Sequence, residues 1–380
     1  MKILQKKFTT KKQWETIRNE IQNSNNCQLV MAFGNRFLLS DVSIFKDIQS
    51  EFPNANIVTC SSAGEIIDIE VFEESISLIA IEFEKTTIKS EVVSIKDSTN
   101  SYGAGKSLAE KFDTKDLINV MIISDGLKVN GSDLVNGLKE NLPPNTIITG
   151  GLAGDDSRFE KTIVGLNSQP KEELIVAIGF YGNNLQITYG SVGGWDSFGP
   201  ERLITKSKDN VLYELDAKPA LDIYKNYLGD YAKDLPSSGL LFPLSIREEG
   251  SNNSLVRTIL GINEDEKSLT FAGNMPKGSY ARLMKANMDS LIEGASHAAS
   301  DSLLKENNSK PDLAVLISCV GRKLVLDQRI EEEVEVIRAL YGEKTAITGF
   351  YSYGEISPTL HFAECELHNQ TMTITTFKEL

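Results

Sequence analysis

The sequence predicts an α/β fold with mixed sheets, built from repeated β-α-β units and divided between two domains. Three observations support this class. A pattern of apolar run, helix and second apolar run recurs along the chain. The apolar runs are continuous, as in parallel strands whose sheets are covered on both faces. At 380 residues the chain is longer than one hydrophobic core usually organises.

The three copies of the pattern keep the same order of segments. Each has a β-rich run, a loop that contains glycine, an amphipathic stretch, a second apolar run, and a turn that ends on glycine and an acid. The copies run from NCQLVMAFGNR to NIVTCSSAGE, from LINVMIISDG to NTIITGGLAGD, and from PDLAVLISCVGR to TAITGFYSYGE. We therefore expect three parallel strand pairs with right-handed crossovers.

Further strands follow each copy and alternate more clearly between apolar and polar residues. They are ISLIAIEF with IKSEVVSI after the first copy, LIVAIGFY with LQITYGSV after the second, and TMTITTF after the third. Alternation of this kind predicts antiparallel strands, which we interpret as pairs added to each unit.

The stretch 195–308 breaks the repeated pattern. LDAKPALDIYKNYL predicts a helix with Pro219 in its first turn. SLVRTILGINEDEKSLTFAGNM predicts a hairpin around NEDEKS, and the residues from Ser279 to Leu304 predict one long helix. We place the domain boundary near Gly193-Gly194, which gives one domain of residues 1–193 and a second of residues 194–380.

Charge and cysteine usage exclude several classes of partner and compartment. The net charge of −14 argues against nucleic acid and anionic membranes, because these partners require clustered Lys and Arg. The four cysteines lie far apart without a CxxC pair, which indicates reduced thiols in the cytoplasm. The basic N-terminus has no apolar stretch after it, and no run of about 18 apolar residues occurs. We therefore expect neither a signal peptide nor a membrane span.

Several motifs, in order along the chain, resemble those of the FIST proteins. They are SSAGEI, GGLAGDD, LDAKPALDIYKNYLG, SCVGRKLVL, GFYSYGEISP and LHNQTM. The resemblance covers almost the whole chain and implies an N-terminal FIST domain followed by a C-terminal FIST domain. It also implies a sensory protein that binds small ligands such as amino acids and signals to a separate partner. Part of the family is associated with haem and nitric oxide sensing in two-component signalling with histidine kinases, which makes haem an alternative cofactor.

Charged residues at the ends of the strands offer a candidate ligand site, since ligands of α/β sheets usually sit there. Arg322 binds a carboxylate in this hypothesis and Glu355 holds an ammonium group, so that the pair clamps an amino acid. In the alternative, the acids cap backbone amides and the tyrosines pack in the sheets. The candidate ligand-binding residues are Arg322, Glu355, Tyr351, Tyr353, Glu65, Asp155 and Arg36.

Other chemistries have weaker support in the sequence. His368, within LHNQTM, is the candidate axial ligand if haem binds, because haem needs only one or two protein ligands. The stretch NSYGAGKSLAEKF is partly similar to a phosphate-binding loop, but it has Asn100 where such a loop has its first glycine. This difference argues against nucleotide binding. A GxSxG motif is absent, so we assign no catalytic residue. Zinc needs three or four converging ligands and the stretch HFAECELH offers at most three, so we expect no metal centre. An enzyme acting on small amino-acid-like substrates is the third functional class that we keep.

Overall fold

The computed structural model describes residues 1–251, 254–303, 310–358 and 364–380. The first part of the chain forms a β-α-β unit and the strands around it. Its strands are β1 (Lys2–Thr9), β2 (Gln13–Asn19), β3 (Leu29–Gly34), β4 (Asn56–Ser61), β5 (Glu65–Ile67), β6 (Glu70–Phe72), β7 (Ser75–Glu82) and β8 (Thr87–Ser94). Its helices are α1 (Arg36–Leu39), α2 (Val42–Glu51) and α3 (Ser101–Ala109). As predicted, β3 and β4 pair in parallel on either side of α2.

A second unit follows with the same connectivity. It contains β9 (Leu117–Ser124), α4 (Gly131–Lys139), β10 (Ile147–Leu152), β11 (Val164–Leu166), β12 (Leu174–Tyr181) and β13 (Leu185–Val192). The strands β9 and β10 pair in parallel, which confirms the prediction for the second copy.

An antiparallel sheet, here called the inserted sheet, separates the second unit from the third. It contains β14 (Asp196–Lys208), β15 (Val211–Leu215), β16 (Lys218–Pro219), β17 (Leu244–Arg247), β18 (Ser254–Arg257), β19 (Ile259–Asn263), β20 (Ser268–Phe271) and β21 (Tyr280–Lys285), with α5 (Ala220–Leu228) packed against it. The predicted helix is α5, and the predicted hairpin is the antiparallel pair of β19 and β20. The hairpin prediction is confirmed. The helix prediction is confirmed from Ala220 onward, whereas Leu215 ends β15 and Pro219 lies in β16 as the N-cap and not in the first turn of the helix.

The last part of the chain completes the third unit. Its elements are α6 (Met288–Asp301), β22 (Leu313–Cys319), α7 (Val320–Leu326), α8 (Glu332–Tyr341), β23 (Ala346–Ser352), β24 (Gly354–Pro358), β25 (Cys365–His368) and β26 (Met372–Glu379). The strands β22 and β23 pair in parallel on either side of α8, as predicted.

The single long helix predicted from Ser279 to Leu304 is wrong. The described part of this stretch contains a strand, β21, and then the shorter helix α6, whereas Leu304 lies outside the described residues. Alternate residues of β21 are buried, and the strand pairs with β14 and β17. The side chain of Asn287 then accepts hydrogen bonds from the amides of Asp289 and Ser290, so it fixes the start of α6.

The strands that follow each unit are antiparallel, as predicted, but they do not form the predicted local pairs. The strand β7 lies beside β3, β12 beside β9, and β26 beside β22. The expected partner of β7 was β8, which pairs with β12 instead. The expected partner of β12 was β13, which pairs with β26. Sequence neighbours therefore belong to different sheets.

The three units also exchange strands in a ring. The strand β5 of the first unit pairs with β23 of the third, β11 of the second with β4 of the first, and β24 of the third with β10 of the second. As a result β5, β6 and β13, all from residues 1–193, complete the sheet of the third unit. The chain enters the inserted sheet just after Gly193-Gly194, and the domain boundary there stays a prediction.

Candidate functional site

The three turns that carry the acids meet where the units exchange strands. This meeting point is here called the central junction and comprises residues 61–65, 152–156 and 351–355. The amide of Ala63 donates to the carbonyl of Tyr351 over 2.8 Å, and the amide of Gly154 donates to the carbonyl of Ser61 over 2.9 Å. The fold therefore brings together candidate residues that lie far apart in the sequence.

Glu65 caps the turn that it closes. Its carboxyl group accepts hydrogen bonds from the hydroxyl of Ser62 over 2.5 Å, and from the hydroxyl and amide of Ser75 over 2.7 and 3.3 Å. The side chain is buried, and burial raises the pKa of this carboxyl group to about 7, against the opposing effect of these hydrogen bonds. This is the capping arrangement that the sequence left open as the alternative.

Glu355 has the same environment in the third unit. Its carboxyl group accepts from the hydroxyl of Ser352 over 2.6 Å, and from the hydroxyl and amide of Thr371 over 2.9 and 3.2 Å. It is fully buried, and burial raises its pKa to about 8, higher than that of Glu65. A carboxyl group enclosed in this way has no exposed oxygen to offer to the ammonium group of a ligand.

Asp155, the acid of the second unit, binds two arginines. The Nε atoms of Arg36 and Arg158 lie 2.8 and 3.0 Å from its Oδ1 atom, and Oδ2 accepts from the amides of Glu160 and Lys161 over 3.4 and 3.2 Å. Arg36 also contacts the Glu160 carboxylate at 2.6 Å. The predicted residues Arg36 and Asp155 are thus brought together, as partners of each other.

Lys323 adds a further internal ion pair to the central junction, and the sequence reasoning missed it. Its Nζ atom donates to the carbonyl of Ala63 over 2.8 Å and lies 3.3 Å from Asp156 and 2.5 Å from Glu73. The charged groups described here compensate one another within the chain, which indicates a structural role for the central junction.

Arg322 does not form the predicted clamp with Glu355. Its Nε and Nη2 atoms donate to Glu333 over 3.1 and 2.9 Å, Nη2 donates to the carbonyl of Leu291 over 2.7 Å, and Nη1 donates to the carbonyl of Gly193. Arg322 and Glu333 are both fully buried. The correction has a simple cause: Glu333, which lies in an acidic run at the start of α8, faces inward and binds the guanidinium instead.

The two candidate tyrosines have satisfied hydroxyls. The hydroxyl of Tyr351 donates to Glu333 over 2.7 Å. The hydroxyl of Tyr353 donates to the carbonyl of Asp156 over 3.0 Å and accepts from the amide of Phe159 over 3.2 Å, and its ring stacks on that of Phe159 at 4.3 Å. Both side chains are buried, which fits the packing alternative rather than a pocket lining.

Replacing Tyr353 with Phe is expected to lower the free energy of unfolding by about 1–2 kcal/mol, because two buried backbone groups lose a hydrogen-bond partner. Urea denaturation measures this change. The control is Tyr102→Phe, since the hydroxyl of Tyr102 binds Glu140 at an exposed site and its removal should change stability much less. Equal effects of the two substitutions would contradict the packing role of Tyr353.

His368 is buried in β25, where its Nε2 atom lies 3.0 Å from the carbonyl of Ser357. Burial lowers the pKa of the imidazole to about 4, so the side chain is neutral at pH 7 and Nε2 carries the donated proton. An axial role toward haem stays a prediction, and while this hydrogen bond holds Nε2 the role would fall to the Nδ1 atom.

Two residues that sequence reasoning missed follow His368 in the turn between β25 and β26. Both polar atoms of the Asn369 side chain, and the Oε1 atom of Gln370, are buried without a hydrogen-bond partner among the described residues. The Gln370 side chain packs on Gly321, where an added Cβ would lie 2.3 Å from Oε1. The signal was available in the sequence, since three polar residues interrupt two strands in LHNQTM.

A cleft of about 490 Å³ lies between the start of α4 and the inserted sheet, and it is here called the α4 cleft. It is formed by residues of α4, β17 and β18, the loop before β21, and β25. None of the residues predicted from sequence lines it. The charged and polar residues that line it include Ser132, Arg247, Glu248, Arg257, Asn274, Glu364 and Glu366.

Arg257 brings a buried positive charge to the α4 cleft. The side chain is 3% exposed, and its guanidinium donates to the carbonyls of Asn274, Val256 and Leu367 over 3.3, 3.4 and 2.9 Å. Among the described residues no carboxylate forms an ion pair with it, although Glu366 interacts with it electrostatically. Burial lowers its pKa to about 10, so the group is still a cation at pH 7.

The loop that carries Asn274 ties the inserted sheet to the start of α4. The side chain of Asn274 donates to Asp133 over 2.9 Å and accepts from Asn130 over 2.9 Å. Next to it Gly273 lies against Arg257, and an added Cβ there would be 2.9 Å from the guanidinium Nε. Glycine at this position lets the arginine lie flat against the loop.

The four cysteine thiols are buried. Burial raises the pKa of Cys60, Cys319 and Cys365 far above that of an exposed thiol, so these groups are protonated and poor nucleophiles. No group of three or more potential metal-ligating side chains was found in the described ranges. Among the described helices, none has both the length and the apolar character to cross a bilayer.

Two known proteins are similar to this chain over most of its length. An uncharacterized protein of Methanocaldococcus jannaschii is 25% identical over 357 residues, a match that covers 82% of this chain and 66% of that protein. A crystal structure of a cyanuric acid hydrolase from A. caulinodans is similar with a TM-score of 0.36 and 7% identity, covering 94% of this chain and 91% of its own.

Two family matches divide the chain between them. Residues 28–218 match the FIST N domain, and residues 220–358 match the FIST C domain. Domains of this kind are associated with the sensing of small ligands in signal transduction. The two matches follow each other in the order expected from the motifs, and the chain belongs to the FIST family.

Proposed function

We propose that this protein is a cytoplasmic sensor that binds an amino-acid-like small molecule in the α4 cleft and signals to a separate partner, such as a histidine kinase. The observation that carries the proposal is Arg257, a buried cation that lines the cleft without a carboxylate partner in the described chain. Glu366 interacts electrostatically with Arg257 but forms no ion pair with it. A buried cation without an ion pair is unfavourable, and a ligand carboxylate would supply that contact.

The size and charge of the α4 cleft support this ligand class. Its volume of about 490 Å³ lies within the range of about 300–1,000 Å³ that is typical of small-molecule sites. Opposite charges line it, namely Arg257 and the carboxylates of Glu364 and Glu366. Both acids contact the half-buried Lys139, at 3.1 and 3.5 Å, so an ammonium group would compete with this lysine for them.

A path of contacts leads from the α4 cleft toward the central junction. Arg257 donates to the carbonyl of Leu367, and the next residues of the chain are His368 and the buried polar turn at Asn369 and Gln370. The turn ends at Thr371, which donates to Glu355. A ligand on Arg257 can shift the equilibrium between two conformations of this turn. The shift in free energy can be no larger than the difference in the ligand's binding free energy for the two conformations.

We expect at least one of the twenty common amino acids to stabilise the purified protein. A ligand at one hundred times its dissociation constant adds about 2.7 kcal/mol to the free energy of unfolding, which corresponds to several degrees in Tm. Thermal unfolding with each amino acid measures this, and calorimetric titration confirms one-site binding.

Native mass spectrometry with an absorbance scan of the same sample completes the test. A copurified mass without colour would support the proposal and identify the ligand. A Soret band with the mass of haem would favour the gas-sensing alternative, with His368 as the first substitution. No stabilising amino acid together with no added mass would contradict the proposed function.

A further inference from the structure

We propose that Ser132 and Arg257, which both line the α4 cleft, form a carboxylate-binding subsite. It rests on the proposed function for the rest of the ligand, because the subsite would hold only the acid end. The hydroxyl of Ser132 and the guanidinium of Arg257 would both donate to the ligand carboxylate. The positive end of the α4 helix dipole would stabilise the same charge.

Ser132 supplies the first observation. It is the second residue of α4, it is 7% exposed, and it lines the cleft. Its Oγ atom is buried without a hydrogen-bond partner among the described residues. The amide of Asp133 is capped by Asn130 over 3.2 Å, so the serine hydroxyl is not needed to cap the helix. A buried hydroxyl without a partner is unfavourable unless a ligand or water satisfies it.

Arg257 supplies an independent observation on a different element. It lies at the end of β18, and the contacts described for it are to carbonyl oxygens. Carbonyl groups hold a guanidinium in place but do not neutralise it. A carboxylate is the ligand group that matches both its charge and the geometry of its paired donors.

The acids around the subsite favour a carboxylate over a phosphate. Asp133 lies next to Ser132 in the first turn of α4, and Glu248 and Glu366 line the same cleft. Glu366 also interacts electrostatically with Arg257. A group with a single negative charge is repelled less by these acids than a phosphate with two charges.

Acetate, acetamide and inorganic phosphate are the probes for this subsite, compared at constant ionic strength by saturation-transfer NMR and thermal unfolding. We expect saturable acetate binding that is at least about tenfold tighter than acetamide binding, because a charged hydrogen bond replaces a neutral one. Phosphate should bind no more tightly than acetate.

Two substitutions identify the residues responsible. Ser132→Ala removes an unpartnered hydroxyl, so the variant should fold normally and bind acetate about three- to tenfold more weakly. Arg257→Lys keeps the charge but loses the paired donors, and acetate binding should fall by about tenfold or more. The controls are Ser43→Ala, at the exposed second residue of α2, and Arg202→Lys, in the inserted sheet with its own partner Asp216. Neither control should change acetate binding.

The outcomes separate this inference from the proposed function. Equal binding of acetate and acetamide, tighter binding of phosphate, or unchanged acetate binding by Ser132→Ala would overturn the subsite. If an amino acid binds but ignores both substitutions, the sensor stands and the subsite fails. If acetate behaves as expected but no amino acid binds, the subsite stands and the proposed ligand class fails. Should Arg257→Lys not fold, Ser132→Ala alone decides.

Discussion

Replacing Arg322 with Ala is expected to destabilise the protein by about 3–5 kcal/mol, because it leaves Glu333 buried without its cation. The two side chains have 0% exposure, and the guanidinium also holds the carbonyls of Leu291 and Gly193. The substitution therefore removes the polar contacts through which Arg322 joins α8 to α6 and to the start of the inserted sheet. A loss of this size is a large part of the total stability of most domains. Urea denaturation of the two proteins measures it.

Two further variants distinguish a buried ion pair from a general effect of losing arginine. Arg329 pairs with Glu332 and Asp289 at the surface, so Arg329→Ala should cost far less stability than Arg322→Ala. The double substitution Arg322→Met, Glu333→Gln removes both buried charges and keeps an acceptor for Tyr351. It should be more stable than Arg322→Ala alone. If Arg322→Ala is as stable as the wild type, this buried pair does not stabilise the fold.

This prediction changes how a binding experiment on Arg322 would be read. The clamp hypothesis predicts that substitution of Arg322 weakens the binding of a carboxylate ligand. In the structure its donors are occupied by Glu333 and two carbonyls, so a variant that no longer binds could simply be unfolded. The residues to test for direct binding are those of the α4 cleft, and the stability of each variant must be measured beside its affinity.

The repeated β-α-β units could be predicted because their signal is local. Each apolar run and each amphipathic helix lies within one short stretch of sequence, and all three parallel pairs formed as expected. The exchange of β5, β11 and β24 between units could not be predicted in the same way. These are short strands whose partners are chosen by tertiary packing, and a single sequence carries no record of that choice.

The candidate site shows the same division between local and long-range information. The acids at Glu65 and Glu355 were found because glycine precedes each of them, and their capping role follows from nearby Ser and Thr residues. Arg257 was missed because no motif surrounds it. Its importance arises from burial and from a cleft whose walls come from distant parts of the chain, α4, the inserted sheet and β25.

Because of Glu355, the free energy of unfolding is expected to fall as the pH rises from about 4.5 to about 8. The variant Glu355→Gln should not show this fall. Burial raises the pKa of Glu355 from 4.5 to about 8 in the folded protein. In this range the unfolded chain loses its proton while the folded chain keeps it, so the unfolded state binds fewer protons and rising pH favours unfolding. Each unit of pKa shift is worth about 1.4 kcal/mol, which sets an upper limit on the order of 4–5 kcal/mol.

Glutamine fits the site, since its carbonyl oxygen can accept from Thr371 and its amide can donate to the hydroxyl of Ser352. Glu355→Gln should therefore be close to the wild type in stability at pH 5 and more stable than it at pH 8.5, as measured by urea denaturation at both values. Glu65→Gln is the matched control, with a smaller gain that is complete near pH 7, because burial raises the pKa of Glu65 only to about 7. If Glu355→Gln loses the same stability at both pH values, the carboxyl group is ionised in the folded protein and its hydrogen bonds outweigh its burial. In that case the three donors around it hold a carboxylate, and the central junction carries one more negative charge at neutral pH.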